Sequence, residues 1–107
     1  MATVLSNKDA TSIVTANATD GAITLAEMTK SGETVTSADI VEIFWTVSGT
    51  NTWLVDRGGT TIGQFAGSGH WNLAASGISL ATGNTSDIGL TLSGGTGYIV
   101  LKVHKQP

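Results

Sequence analysis

The stretch Ile-Val-Glu-Ile-Phe-Trp-Thr-Val, residues Ile40–Val47, decides the fold class of this chain. It is rich in β-branched and aromatic residues, which pack well on a pleated surface, and therefore predicts a β-strand. The next four residues, 48–51, predict a hairpin turn, and residues 52–57 predict the returning strand. A second turn at Gly58-Gly59 leads to a third strand at residues 60–65. The middle of the chain is thus expected to form a three-stranded meander.

Strand signals continue on both sides of this meander. Residues 87–92 and 98–104 alternate between apolar and polar side chains and predict a final hairpin through the Gly-rich segment 93–97. Residues 22–31 fit either a strand or a short helix, with Asp20 as a candidate helix cap. Shorter strand signals lie at Ala2–Leu5, Thr11–Ala18, Trp71–Leu73 and Ile78–Leu80. Turn signals about every ten residues predict an antiparallel β-sandwich or a small, jelly-roll-like barrel.

The composition supports an all-β single domain. The chain has 107 residues, which is the length of one domain. It contains 17 Thr, 10 Ser and 14 Gly, whereas charged residues make up only 12%. Thr favours strands and Gly favours turns, and the usual surface helix formers are scarce. Because the sequence has no cysteine, disulfides and thiolate metal sites are excluded, and packing has to hold the fold together.

Charge and hydropathy narrow the classes of partner. The net charge is −3, and only five Lys and Arg residues could neutralise phosphates, so a nucleic-acid partner is not expected. The sequence shows no signal peptide and no apolar run long enough for a membrane-spanning helix. We therefore expect a soluble chain that is made in the cytoplasm and does not bind a membrane.

The first 18 residues are the least regular part of the chain. Their sizeable apolar side chains are Val4, Leu5, Ile13 and Val14. Because it has so few, this N-terminal arm is expected to pack weakly against the rest of the domain, residues 19–107. It could then add a strand to a partner protein or lie along it.

The residues that usually carry catalysis are sparse. His70 and His104 are the only histidines; His104 falls on the polar side of its strand, and His70 enters a strand next to Trp71. Ser68 lies between two glycines, but the Gly-x-Ser-x-Gly spacing of a nucleophile elbow is absent. The acidic residues are scattered along the chain without the spacing of a calcium loop. We therefore predict no catalytic, cofactor or metal site and no enzymatic activity.

The aromatic residues have the greatest capacity for contact. Most of them are expected in the core, but Phe44 falls on the opposite strand face from Trp45 and is a better candidate for an interface. The hairpin expected after it is apolar on both faces, since Trp53 and Leu54 point to opposite sides. Trp53 and Trp71 are therefore also candidates for a partner surface.

Four motifs resemble the small structural proteins of tailed bacteriophages. They are Ile40–Trp45, Trp53–Gly59, Gly67–Leu73 and Leu90–Ile99, within a similarity that extends from Ile23 to Lys105. The resemblance implies a capsid decoration, or cement, protein that binds the major capsid protein on the virion surface, often as a homotrimer. The residues expected at the partner interface are Val4, Leu5, Ile13, Val14, Phe44, Trp53 and Trp71.

Two other functions fit the same sequence. A tail, neck or fibre component would share this composition and fold. A carbohydrate-binding β-sandwich would use Trp45, Trp53 or Trp71 as a stacking platform for a sugar ring.

Overall fold

Nine β-strands form two antiparallel sheets in the computed structural model, which describes residues 3–8, 11–17, 21–73 and 84–106. The predicted all-β, sandwich-like single domain is confirmed. No helix among these residues has the length and apolar character needed to cross a membrane. The strand prediction for Ile78–Leu80 lies outside the described residues.

The larger sheet has five strands in the order β1-β2-β9-β4-β7, and the smaller has four in the order β3-β8-β5-β6. The strands of the larger sheet are β1 (Thr3–Lys8), β2 (Thr11–Asn17), β4 (Ser37–Val47), β7 (Ser68–Asn72) and β9 (Gly97–Gln106). The strands of the smaller sheet are β3 (Ala22–Ile23), β5 (Thr52–Arg57), β6 (Thr60–Ala66) and β8 (Ile88–Leu92).

The predicted central meander and C-terminal hairpin are wrong in their connections. β5 and β6 form a hairpin through Gly58 and Gly59, both with positive φ, but β4 and β5 belong to different sheets, as do β8 and β9. Residues 48–51 and 93–96 therefore carry the chain from one sheet to the other. A Ser- and Gly-rich turn permits a hairpin or a change of sheet, and only the packing of the flanking strands decides between them.

The two sheet-changing turns are hydrogen-bonded to each other. The Ser48 N–H donates to the Thr96 carbonyl at 2.9 Å, and the Thr96 N–H donates to Ser48 Oγ at 2.9 Å. The Ser93 N–H donates to the Thr52 carbonyl at 3.0 Å, and the Thr52 N–H donates to Ser93 Oγ at 2.9 Å. These bonds close one end of the sandwich.

The N-terminal segment is more firmly held than its sequence predicts. β2 lies between β1 and β9 and pairs with β9 along its full length. Ser12, Val14 and Ala16 alternate into the interior and are buried. A strand in a half-buried sheet needs only one apolar face, and small residues are enough where the opposite sheet is close. The expected weak packing is therefore wrong for β2.

Residues 22–28 form a short strand followed by one turn of helix, α1 (Leu25–Met28). The helix cap is Thr24, whereas Asp20 lies outside the described residues. The Glu27 N–H donates to Thr24 Oγ1 at 3.1 Å, and the Thr24 N–H donates to Glu27 Oε1 at 3.2 Å, which makes a reciprocal capping box. α1 packs beside β1 and β2 and buries Met28 completely.

The core lies between the two sheets, and Trp53 is its largest side chain. Trp53 is completely buried, and its indole N–H donates to the Thr46 carbonyl at 3.2 Å. The other fully buried large apolar residues are Val14, Ile23, Met28, Ile40, Ile43, Val55, Ile88, Ile99, Leu101 and Val103. Trp53 therefore joins the two sheets across the sandwich.

Candidate functional site

The outer face of the five-stranded sheet, which points away from the smaller sheet, divides into a charged half and a neutral half. Strand register places Lys102 beside Glu42, and His104 beside Asp39, toward one end of the face. Toward the other end, one row across the sheet reads Thr15, Val100, Phe44, His70. The next row reads Asn17, Tyr98, Thr46, Ser68. Two neighbouring rows thus place aromatic and aliphatic side chains beside hydroxyl groups.

A depression of about 250 Å³ opens in this neutral half. Its lining is Phe44, Trp45, Thr46, Ser68, Gly69, Tyr98 and Val100, and we call it the neutral depression. The absence of a side chain at Gly69 makes room for the inward-facing indole of Trp45, because a Cβ atom there would lie 2.5 Å from Cζ2 of that ring. Tyr98 at its rim is 61% exposed, and Phe44 is 41% exposed.

Phe44 is stacked against His70. The two rings are stacked, with centroids 3.9 Å apart and planes within 5° of parallel. His70 Nε2 in turn lies 3.2 Å from Glu42 Oε2. His70 covers one face of Phe44 and is not part of the lining, so the opposite face of the phenyl ring remains available to the depression.

Three lining residues carry hydroxyl groups without competing bonds, whereas the surface of the neutral depression itself is almost wholly apolar. Within the described part of the chain, the side chains of Thr46, Ser68 and Tyr98 make no hydrogen bond. A hydroxyl group can donate one hydrogen bond and accept two, so each of the three can bind a ligand. The depression thus presents an apolar surface, and the residues around it carry free hydroxyl groups.

A second exposed apolar feature lies at the edge of the same sheet. β1 is the outermost strand there among the described residues, and its consecutive residues Val4 and Leu5 are 37% and 58% exposed. The register of β1 shifts between Val4 and Ser6, which marks a β-bulge, and Lys8 ends the strand. Bulges and lysines restrict indiscriminate edge-to-edge pairing.

The remaining interface candidates fall in different environments. Ile13 is half-buried on the outer face beside Lys102. Trp71 is partly exposed on β7, with its ring centroid 5.8 Å from that of Phe65. Val14 and Trp53 instead belong to the interior, because each points into the space between the sheets and is fully buried. The structure therefore does not bring the seven candidates together on one surface.

Tyr98 is the exposed aromatic residue that sequence reasoning missed. Its position carried a usable signal, since it alternates with the buried Ile99 and shares a strand face with Lys102 and His104. The sequence predicts that this face of the strand is polar and exposed to solvent. An aromatic ring on such a face indicates a contact surface.

Arg57, which lies away from both surfaces, is a charged group with a perturbed pKa. Its side chain is buried and donates to the backbone carbonyls of Ala38, Asn84 and Ser86. Burial lowers the pKa of the guanidinium from its ordinary value, and the carboxylates of Asp39 and Asp87 oppose that shift. Arg57 thus ties residues 84–86 to β4, which is a structural role.

The described residues contain no group of three or more His, Asp or Glu side chains placed to hold a metal ion. His104 is exposed, with Nδ1 3.4 Å from Gln106 Nε2. Comparison of the chain with protein-family models, curated proteins and solved structures found no match.

Proposed function

We propose that this chain is a non-enzymatic structural protein of a tailed-phage virion, a decoration protein that binds the major capsid protein and stabilises the expanded head. The sequence resemblance points to this class, and a cysteine-free, weakly charged β-sandwich suits a particle that leaves the cell. The observation that carries the proposal is the exposure of two consecutive apolar residues, Val4 and Leu5, on the edge strand β1.

The attachment we propose is strand addition at β1. A partner strand would pair with the outer edge of β1 through main-chain hydrogen bonds, and Val4 and Leu5 would supply apolar contact. The sequence led us to expect that the whole arm, residues 1–18, served this purpose. β2 is committed to the sheet and the core, so the attaching segment reduces to β1.

Stabilisation of the head follows from repeated attachment. A homotrimer placed over a local symmetry axis would present three β1 edges to neighbouring capsid subunits. Once one edge is bound, the others bind at a high effective concentration, so separation of the subunits requires breaking several contacts together.

The first test is the copy number of the protein in particles of the phage that encodes it, by quantitative mass spectrometry against the major capsid protein. A ratio of the same order as the capsid subunit is expected for a head-covering protein. A handful of copies per particle would instead assign the chain to the tail, neck or fibre. Absence from the particle would refute the virion proposal.

A second test addresses the β1 edge. Leu5→Lys places a charge on the exposed edge and should weaken binding to heads prepared without this protein by roughly tenfold or more, a loss of about 1.4 kcal/mol. The matched control is Thr91→Lys, which adds the same charge at an exposed position of β8 in the other sheet. Both variants should keep the wild-type circular dichroism spectrum. Equal head binding by both would exclude β1 as the attachment site.

A further inference from the structure

We infer that the neutral depression is a binding site for a neutral pyranose ring of a glycan. This site lies on the outer face between β9, β4 and β7, whereas β1 lies at the edge of the sheet. The inference goes beyond capsid attachment and does not depend on it.

The charge of the site favours an uncharged ligand. Every residue that lines the depression is neutral, and the nearest charged row, with Lys102 and Glu42, lies beyond Val100 and Phe44 along the strands. A phosphate, a sulfate or an acidic sugar would find no cation among the lining residues. A neutral ligand avoids the cost of removing charge from water without a partner.

The chemistry of the lining matches the two sides of a pyranose. One ring face of the sugar presents C–H groups, which carry a slight positive charge and pack against the negative face of an aromatic ring. Phe44 and Tyr98 supply exposed rings at the depression. The sugar's edge presents hydroxyl groups, and Tyr98, Thr46 and Ser68, whose hydroxyls are free, lie in one row of the outer face beside the apolar surface.

The size of the depression limits what enters it. Pockets for drug-sized molecules generally have about 300 to 1,000 Å³, and this one is smaller and open to solvent. It therefore suits a single sugar ring, with the remainder of a glycan extending into solvent. A ligand of about a dozen non-hydrogen atoms at ordinary efficiency binds with a Kd of roughly 1 to 10 mM.

His70 and Glu42 act as positioning residues for this site. His70 stacks on the far face of Phe44, and Glu42 contacts its Nε2. The stack holds the phenyl ring in its binding orientation before the sugar arrives, which reduces the entropy lost on binding.

The test is an NMR titration of the full-length protein with methyl glycosides of glucose, galactose, mannose and N-acetylglucosamine. We expect saturable shifts with at least one of them, confined to the amides of residues around Phe44, Ser68, Gly69 and Tyr98. Tyr98→Ala and Phe44→Ala should weaken that binding by tenfold or more, and Ser68→Ala should weaken it several-fold. Thr91→Ala, an exposed change in the other sheet, should leave the affinity unchanged.

The positioning role has its own measurement. His70→Ala should weaken sugar binding several-fold and broaden the ring signals of Phe44. His70→Phe, which keeps a flat ring beside Phe44, should restore both. Equal affinities in His70→Ala and the wild type would remove His70 and Glu42 from the site.

Three results would overturn the inference. They are saturation with none of the four glycosides, a preference for glucuronic acid over them, and shifts at the same residues that depend on protein concentration without sugar. The last would assign the depression to contact with a second copy of the chain. Head binding is measured separately with Leu5→Lys, so failure of one proposal leaves the other open to its own test.

Discussion

At the scale of single residues, Gly69 is a position where a small change should have a large effect. An added Cβ would lie 2.5 Å from the Trp45 ring, which is held by an indole hydrogen bond to the Ala66 carbonyl at 3.0 Å and by Phe65 at a centroid distance of 4.4 Å. The ring cannot move away freely, so Gly69→Ala should destabilise the protein by about 1 to 3 kcal/mol. Urea unfolding followed by tryptophan fluorescence measures the change.

The matched control is Gly21→Ala. Nothing lies within 4 Å of a Cβ atom at Gly21. Its substitution should leave stability within about 0.5 kcal/mol of the wild type, as surface changes usually do. A Gly69→Ala protein as stable as Gly21→Ala would show that the Trp45 ring relaxes without cost.

The single residues of the candidate site were only partly predictable from the sequence. Strand alternation correctly separates the exposed Phe44 from the inward-facing Trp45. It does not reveal that Trp53 spans the sandwich, because that depends on which sheet lies opposite. Nor does it place Ser68 beside Thr46, since the two are 22 positions apart and meet only through the register of β4 and β7.

At the scale of elements, β9 holds the segment after α1 through one buried lysine. Lys105 Nζ donates to the Met28 carbonyl at 2.9 Å and lies 2.5 Å from Glu33 Oε1. Lys105→Met removes the cation and leaves a mostly buried carboxylate without it, so we expect a loss of about 3 to 5 kcal/mol. Chemical unfolding of the variant measures it.

Lys102→Met is the control for this prediction, because Lys102 lies on the same strand but points to the outer face. The expected change there is below about 1 kcal/mol. Comparable losses in the two variants would show that the Lys105 contacts contribute no more than those of a surface lysine.

Element positions were more predictable than element connections. β-branched and aromatic runs identified β4, β5 and β6, because strand propensity and alternation are local properties. The sheet changes at residues 48–51 and 93–96 were missed, because the bonds that join those turns link residues more than 40 positions apart. The structural role of Lys105 was equally unpredictable from the sequence. A charged residue at an inward position of a strand can be explained only when its partner, here Glu33, is known.

At the scale of the whole molecule, the order of strands explains why the N-terminus belongs to the domain. β9 is the centre of the larger sheet, with β2 on one side and β4 on the other. Without β2, the middle strand β9 would become an edge strand, and Val14 and Ala16 would leave the core. The sequence shows few apolar residues in this segment, but it does not show that the segment pairs with the central strand, β9.

This arrangement separates two truncations that the sequence alone would treat alike. Deletion of residues 1–17 should abolish folding, because it removes β2, exposes one edge of β9 along its length and opens the core. Circular dichroism and the dispersion of NMR signals detect the loss.

Deletion of residues 1–8 removes only the outermost strand, whose large apolar side chains are already exposed, and should leave a folded protein that no longer binds heads. A folded protein after the longer deletion would show that β2 is dispensable and return the whole arm to a role in attachment. Head binding by the folded shorter variant would move the capsid contact away from β1.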